Sequence, residues 1–302
     1  MLSFTGRRNL AGDLANTSAS ATLTLLDTLM NEAEKKIVAM RDWPWLWKQY
    51  TEATVAGTSA YALPAYTDKP QSLYVTVGSY RYTPKEVTTR QEWDFLKQTS
   101  ISSDIPTHVF YYDDQYEIFP TPSTSSNTIT INARRRFRDL NVADFTTGTI
   151  DIITNGSKAV TGSATSWTTP MGKDRQLRVT HSNTAASSGD HYWYDISSID
   201  SSTTLTLRRE YGGTSLTTGA GASYIIAQCS LIPETYQILP IYDALKIYFT
   251  GVDPNPTKAQ LYASLYTEGM GAMLKEHGSR TSPVIDSGEP YDFVNPNLRI
   301  TL

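Results

Sequence analysis

Cysteine and histidine are scarce in this chain of 302 residues. A single cysteine, Cys229, excludes an intrachain disulfide framework and a zinc site built on cysteines, and it predicts a small buried apolar residue. The four histidines fit no metal-ligand spacing such as HExxH. They are His108, His181, His191 and His277. The sequence therefore predicts neither a metal site nor a cofactor.

Long apolar runs are missing as well. No stretch of about 18 apolar residues occurs, so we expect no membrane-spanning segment. The N-terminal MLSFTGRRNLAGDL lacks an apolar core of signal-peptide length, and we expect a protein that is made and kept in a cytoplasm. Charged residues make up 19% of the chain, and the net charge of −4 argues against a protein that coats nucleic acid.

Signatures of catalysis are equally thin. The sequence contains no GxSxG, Walker or GxGxxG motif, and the glycines at 219–222 lack the following helix that a phosphate-binding loop needs. Asp113 and Asp114 fall at a predicted hairpin tip, where aspartate serves backbone bonding and adjacent side chains diverge. Asp190 and Asp195 receive the same interpretation. We expect no enzymatic activity.

What the sequence does contain is, first, a strong helical pattern in LTLLDTLMNEAEKKIVAMRDWPWL. Its apolar residues follow the three-and-four spacing of one helix face: Leu26, Leu29, Met30, Ala33, Ile37 and Met40. The charged residues fall largely off that stripe: Glu32, Glu34, Lys35 and Lys36. Pro44 predicts that the helix ends near Asp42.

Short strands separated by turns follow over residues 46–140. Period-two patterns predict hairpins through Gly78-Ser79 and through Asp113-Asp114-Gln115. The segment 90–98 is expected to form a short helix, and NTITINARRRFRDL a further strand. Residues 141–228 then alternate strand-like runs with Gly/Ser/Thr turns and show no helical pattern, which is typical of a small β-sandwich or barrel.

Helical patterns return at Pro233. A first helix is predicted around residues 238–249, with Pro240 either kinking it or marking its true start. A second helix, TKAQLYASLYTEGMGAMLKEH, follows the break at GVDPNP. Gly269 and Gly271 weaken this helix but allow another backbone to approach closely.

The predicted fold class is α+β: a helix bundle packed with a small antiparallel β-domain, an inserted all-β domain like a sandwich or barrel, and an extended C-terminal arm. The expected boundaries are 1–140 for the N-terminal helix and β-body, 141–228 for the insertion, 229–277 for the C-terminal helices, and 278–302 for the arm.

The arm is rich in proline and dotted with apolar residues. Two interpretations stay open: a disordered end, or a segment that orders on a partner. Its candidate contact residues are Pro283, Val284, Ile285, Tyr291, Phe293, Val294, Leu298, Ile300 and Leu302.

Three tryptophans crowd the end of the first helix, at Trp43, Trp45 and Trp47. In an extended stretch they would point the same way and form an apolar ledge. The ledge predicts either a core junction between the helix and the strands or exposed aromatic surface at a subunit interface.

The run ARRRFR is the one dense basic stretch. On a strand, Arg134, Arg136 and Arg138 share a face opposite Arg135 and Phe137. The open alternatives are a solvated strand face, ion pairing to an acidic neighbouring subunit, and contact with a nucleic-acid backbone.

The order of these features resembles the head-to-tail adaptor proteins of tailed bacteriophages. The resemblance is carried by W-P-W…Y.LP at 43–64, by P.HVFYYDDQYEIFPTP at 106–122 and by the strand at 128–138. It extends over residues 20–140 and 230–277.

A second resemblance, to the small β-modules of phage neck and tail proteins, lies in the insertion. Its turn residues are Val160, Gly162, Thr165 and Trp167, and its strand residues are Tyr194, Ile196, Leu205, Leu207, Tyr211 and Gly212.

The adaptor resemblance implies a structural virion protein of the neck or tail, assembled in the host cytoplasm. It implies a homo-oligomeric ring of about twelve copies that joins the portal protein to the tail tube, nozzle or next neck protein. Such a ring surrounds passing double-stranded DNA without reading its sequence, and the arm anchors it on the portal. The insertion is expected to decorate the ring or to receive a tail fibre or spike.

Two other classes of function remain as alternatives. A fibre or adhesin would use Trp167, Trp193 and Tyr192 as a glycan platform on the Ser/Thr-rich insertion. A glycan hydrolase would need a pair of suitably spaced carboxylates, and the sequence contains no motif that indicates such a pair.

Overall fold

The computed structural model describes residues 2–64, 66–180 and 189–277. All residues of the predicted arm, and His181, lie outside this described part. Within it the chain combines α-helices with mostly antiparallel sheets, which confirms the α+β class.

The helices are α1 (Phe4–Ala15), α2 (Ser20–Ala39), α3 (Arg90–Lys97), α4 (Met171–Asp174), α5 (Leu239–Gly251) and α6 (Pro256–His277). The strands are β1 (Trp47–Ala53), β2 (Ala60–Ala62), β3 (Thr67–Val77), β4 (Tyr80–Tyr82), β5 (Lys85–Val87), β6 (His108–Tyr112), β7 (Gln115–Phe119), β8 (Thr128–Arg135), β9 (Thr149–Ile153), β10 (Ala159–Ser163), β11 (Gln176–Val179), β12 (Trp193–Ile199), β13 (Thr204–Leu207) and β14 (Tyr224–Ala227). Short 3-10 turns cover Pro44–Leu46 and Glu234–Tyr236.

Helices α1, α2, α5 and α6 pack together as a helical layer. Its buried core is Ala11, Ala15, Leu26, Met30, Ile241, Ala244, Leu245, Tyr248, Phe249 and Tyr262. The sequence pattern does not predict α1, because its buried face contains small residues in place of a stripe of large apolar ones. Local signals do bound α1: the Ser3 side chain accepts from the Gly6 amide at 3.0 Å, and Asn16 ends the helix in the left-handed conformation.

The long helix predicted before Pro44 is α2. Two details of its predicted apolar stripe are wrong. Met40 is 53% exposed, since the helix has already ended at Ala39. Glu34, expected on the solvent side, is only 1% exposed because it lies beside the stripe and is held by an ion pair described below.

The β-body (47–135) consists of two four-stranded sheets, ordered β1-β8-β3-β4 and β2-β7-β6-β5. The sheets share one core: Tyr50, Tyr61, Leu73, Val75, Val109, Tyr116, Ile118, Ile129, Ile131 and Ala133. Both predicted hairpins are confirmed, with Val77 opposite Tyr80 and Tyr112 opposite Gln115. The β-body is not purely antiparallel, because β5 and β6 run parallel.

Strands β9–β14 form a six-stranded sheet ordered β14-β11-β12-β13-β10-β9. Isolated bridges join Phe145 to Ile226, Ile150 to Ala222 and Ile153 to Leu216, and so connect the β9 edge back to the β14 side. We call this closed unit the barrel. It has its own buried core, which includes Trp167, Leu177, Tyr194, Ile196, Leu205, Tyr211 and Tyr224. The one-turn helix α4 interrupts a region predicted to hold only strands and turns.

The turn motif of the barrel has a steric basis. A Cβ on Gly162 would lie 2.6 Å from the Thr165 Cγ2 atom and 2.8 Å from the Trp167 ring, so only glycine fits. The Thr165 hydroxyl donates to the Ser202 carbonyl at 2.7 Å. Glycine, threonine and tryptophan therefore interlock beneath the turn and close one end of the core.

The predicted C-terminal helices are confirmed, and Pro240 marks the true start of α5, lying in its first turn. In α6 the two glycines differ. A Cβ on Gly269 would collide with the Leu239 side chain, whereas nothing lies within 4 Å of the corresponding position on Gly271. Close packing is thus required only at Gly269, and by a side chain of α5.

Candidate functional site: the junction of the helical layer, β-body and barrel

The chain turns from α2 into the β-body through the tryptophan segment, which is not extended as predicted. The 3-10 turn at Pro44–Leu46 interrupts the extended backbone between Trp43 and Trp47. Trp43 is fully buried and its Nε1 donates to the Ile37 carbonyl at 2.7 Å, while Trp45 is half-buried and stacks on Trp43 with ring centroids 5.7 Å apart. Trp47, also half-buried, begins β1.

Trp43 belongs to a buried cluster that joins three parts of the chain. The cluster comprises Ile37, Val38, Trp43, Leu46, Ile232, Tyr236, Leu239, Met270 and Met273. Trp45, Phe137 and Leu231 pack against it. The end of α2, the start of α5 and the second half of α6 therefore meet at the entrance to the β-body.

A buried ion pair lies beneath this junction. Arg7 of α1 donates from Nη1 to the Glu34 Oε2 atom at 3.1 Å, and the two side chains are 3% and 1% exposed. The second oxygen of Glu34 accepts from the Ser230 hydroxyl at 2.8 Å and from the Leu231 amide at 3.1 Å. Burial is the largest effect on Arg7 and lowers its pKa, while attraction to Glu34 opposes that change.

Side-chain amides hold the chain where it leaves for the barrel and where it returns. Asn31 accepts from the Leu140 amide at 3.1 Å and donates to the Leu140 carbonyl at 3.2 Å. The Gln228 Oε1 atom accepts from the amides of Asn141 and Val142, both at 3.0 Å. These bonds hold the segment that enters the barrel against α2 and against the segment that returns from it.

Sequence reasoning missed this polar clamp, formed by Arg7, Glu34, Asn31 and Gln228, because its partners lie far apart in the sequence. One signal was present: a glutamate four residues after Met30 stands next to the apolar stripe of α2. A carboxylate in that position needs a cation if it is buried.

The arginine run behaves differently at each position. Strand β8 ends at Arg135, so Arg136 and Arg138 lie beyond it and do not continue the predicted strand face. The Arg134 guanidinium donates from Nη2 to the Val38 carbonyl at 3.1 Å at the end of α2, and Nε lies 3.4 Å from a carboxylate oxygen of Asp42. Arg134 thus has partners within its own chain, and the predicted role of these arginines at a subunit interface remains a prediction.

A cleft of about 510 Å³ lies between the β-body and the barrel. Its cationic lining residues are Lys48, Arg135, Arg136, Arg138, Arg175 and Arg208, and Asp195 is the one carboxylate among its described lining residues. Lys48 donates to Asp195, which also accepts from the Gln176 side chain at 2.9 Å. We call it the basic cleft.

Electrostatics in the basic cleft reflect this excess of cations. Burial would raise the pKa of Asp195, but attraction to Lys48 and hydrogen bonds from Lys48 and Gln176 outweigh it, and the pKa is lowered. Burial lowers the pKa of Lys48; its pair with Asp195 opposes this change, and the nearby Arg135 and Arg208 add to it. Burial also lowers the pKa of Arg135.

The predicted glycan platform is wrong, because two of its three rings are buried. Trp167 is 3% exposed and its Nε1 donates to the Tyr224 hydroxyl at 2.9 Å. Trp193 is 9% exposed, and the guanidinium carbon of Arg178 lies 4.7 Å from the centre of its ring. Only Tyr192 of the three is exposed.

The suspected carboxylates have structural surroundings. Asp113 and Asp114 form the β6–β7 tip, and the Asp114 carbonyl accepts from the Leu63 amide at 2.8 Å. Asp190 accepts from the Tyr194 hydroxyl and, at 3.1 Å, from the Tyr192 amide. Within the described ranges, no group of three or more His, Cys, Asp and Glu residues is placed to hold a metal ion.

Cys229 is buried, as predicted, and burial raises the pKa of its thiol. No helix in the described part of the chain has both the length and the apolar character that crossing a bilayer requires.

Comparison with known proteins gives one family. Residues 7–155 match the family model described as SU10 adaptor protein, a range that begins in α1 and includes both sheets of the β-body and β9. No curated protein matches the chain. The matched range contains Arg7, Glu34 and the tryptophan segment, whereas their partners from 228–239 and from α6 lie outside it. Over residues 7–155 the chain is therefore similar to the SU10 adaptor protein family, which is consistent with a phage head-to-tail adaptor.

Proposed function

We propose that this adaptor assembles as a ring of about twelve copies, joins the portal protein to the tail, and surrounds the DNA channel. The observation that carries the proposal is the buried junction, whose residues Arg7, Glu34 and Trp43 lie within the family-matched range. The buried Arg7–Glu34 pair joins α1 to α2 and, through Glu34, to the segment that returns from the barrel. Trp43 is buried against the end of α2 where the chain enters the β-body. A connector that transmits load between two partners needs such a rigid internal joint.

The charge balance suits a channel for DNA. With a net charge of −4, the chain offers no general attraction to phosphate, so DNA would slide without sticking. Arg134, in the basic run, already binds carbonyl groups of its own chain. We expect no catalytic step.

We further propose residues 278–302 as the anchor on the portal and residues 141–228 as an inserted unit that docks a tail fibre, a spike or a neighbouring tail protein. Support for the inserted unit comes from its separate core and from its paired connections. Phe145 pairs with Ile226, so the chain leaves and re-enters the parent fold at neighbouring points.

Light scattering of the purified protein mixed with its cognate portal tests the ring and its anchor. We expect a complex of defined mass with the full chain and none after removal of residues 278–302. A second variant, in which a short Gly/Ser linker replaces residues 145–227, should still bind the portal. Equal portal binding by the full chain and by the chain without 278–302 would contradict the anchor.

A further inference from the structure

The basic cleft holds more positive charge than its own residues neutralise. Lys48 is paired with Asp195, but Arg135, Arg175 and Arg208 form no ion pair within the described ranges. The Nε atoms of Arg135 and Arg175 are buried without a hydrogen-bond partner there. Guanidinium groups in this state bind carboxylates strongly, because the hydrogen bonds are charge-assisted and water is partly excluded.

The walls of the cleft are apolar and aromatic. Leu63, Pro64, Ile196, Ile199 and Leu231 line it. Tyr50 and Tyr66 lie beneath the guanidinium groups of Arg208 and Arg138, at 5.4 and 5.3 Å. A small inorganic anion would leave these walls uncovered. A peptide that combines acidic and apolar side chains would satisfy both the charges and the walls.

The chain itself contains such a peptide. The stretch PVIDSGEPYDFVNPN at 283–297 has three acidic residues, Asp286, Glu289 and Asp292, and no lysine or arginine. Val284 and Ile285 precede the first acid, Pro290 and Tyr291 lie between Glu289 and Asp292, and Phe293 and Val294 follow the last acid. Complementary charge and neighbouring apolar residues therefore match the two properties of the cleft.

The segment also starts close enough to reach the basic cleft. Helix α6 ends at His277. Its residues Met270 and Met273 lie in the buried cluster around Trp43, against which Leu231 packs. Leu231 also lines the basic cleft. From His277 to Asp286 an extended chain reaches up to about 30 Å, roughly the diameter of a small domain.

We propose that the basic cleft binds the acidic stretch 283–297 when the adaptor is not on the portal. The carboxylates of Asp286, Glu289 and Asp292 pair with the arginines, and the neighbouring apolar residues cover the walls. This inference concerns the free protein and does not rest on the ring or its copy number.

The test uses the full chain with its own stretch neutralised by Asp286→Asn, Glu289→Gln and Asp292→Asn, which frees the cleft. A fluorescent peptide of residues 281–297 is titrated into this protein, and binding is followed by anisotropy. We expect saturable binding that weakens at least tenfold between 50 and 500 mM salt, because salt screens charge pairs. Adding Arg175→Gln and Arg208→Gln should weaken binding at least tenfold.

Matched controls make the result specific. Arg81→Gln removes an exposed guanidinium that lies 5.0 Å from the Tyr74 ring, outside the cleft, and should leave binding unchanged. The neutralised peptide should not bind, and this control leaves the protein untouched. In the unmodified full chain the labelled peptide should bind more weakly, because the cleft is already occupied.

Four results would overturn the proposal: no binding to the neutralised chain, equal loss with Arg81→Gln, binding of the neutralised peptide, or capture of a short DNA duplex in preference to the peptide. The last result would assign the cleft to phosphate groups. None of these results depends on portal binding, which is measured separately.

Discussion

The Arg7 guanidinium and the Glu34 carboxylate, 3.1 Å apart, form an ion pair that is almost completely closed to water. Because Glu34 also binds Ser230 and Leu231, this one carboxylate connects α1, α2 and the segment that returns from the barrel. The pair is the innermost part of the adaptor's joint, and the barrel's connections are attached to it.

Removing one member of this pair should be costly. Arg7→Met leaves the Glu34 charge buried without its cation, and we expect the free energy of unfolding to fall by about 3–5 kcal/mol. Urea denaturation measures the loss. Arg8→Met is the matched control, since the Arg8–Asp27 pair is more exposed, and it should cost about 1 kcal/mol or less. Similar losses in the two variants would contradict the structural role of the buried pair.

The three tryptophans should differ in importance. Trp43→Ala removes a fully buried ring and its hydrogen bond to Ile37, and should cost about 3–5 kcal/mol of stability. Trp45→Ala and Trp47→Ala remove half-buried rings and should cost less. Thermal unfolding of the three variants ranks their melting temperatures. A Trp43→Ala protein with the melting temperature of the wild type would show that Trp43 is not the centre of the joint.

Alanine substitutions at the two glycines of α6 should change stability in opposite directions. Alanine at Gly271 meets open space and should stabilise the helix by about 0.5–1 kcal/mol. Alanine at Gly269 would displace the buried Leu239 side chain, and overpacking of that kind costs about 1–3 kcal/mol. Chemical denaturation of both single variants should show a gain for Gly271→Ala and a net loss for Gly269→Ala. Stabilisation by both would show that α5 and α6 are not closely packed here.

The interlocked turn of the barrel makes a similar prediction. Gly162→Ala forces its new methyl group into Thr165 and Trp167 and should destabilise the protein by about 1–3 kcal/mol. At Gly212 the new methyl group would lie an ordinary 3.5 Å from the Tyr194 hydroxyl, so Gly212→Ala is the control and should be close to neutral. Urea denaturation of the two variants measures both changes, and equal stability of Gly162→Ala and Gly212→Ala would contradict the interlocked turn.

Asp195 makes stability depend on pH. The pKa of its carboxyl is lower in the folded protein than in the unfolded chain, so the stabilisation is complete above the unfolded value of about 4 and is lost as the pH falls through the folded value. Its pair with Lys48 is partly exposed, so we expect only about 0.5–1 kcal/mol. Asp195→Asn should lower stability at pH 7 by this amount and by less at pH 3. An equal loss at both pH values would contradict the ion pair.

The sequence correctly predicted the elements that are determined by neighbouring residues. The hairpin at Gly78-Ser79, the short helix at 90–98 and the start of α5 at Pro240 each depend on neighbouring residues. The spacing of the apolar residues also predicted α2. The errors occurred where distant segments decide the outcome, as with Glu34, which is buried because Arg7 approaches it.

The candidate site was less accessible to prediction. Strand β1 pairs with β8, about 80 residues away, and that pairing brings Arg135 beside Lys48 to form one side of the basic cleft. The opposite side, with Asp195 and Arg208, comes from the barrel. A linear pattern contains no information about this juxtaposition. It likewise could not show that Trp167 and Trp193 face inward, because aromatic residues suit a buried strand and a binding platform equally well.

Cryo-electron microscopy of the purified adaptor mixed with its cognate portal shows whether the adaptor forms a ring there. We expect a closed ring on the portal, with the helical layer and β-body of each copy joined as described and density for residues 278–302 on the portal surface. A portal that carries no adaptor, or carries single copies without ring closure, would contradict the proposed function.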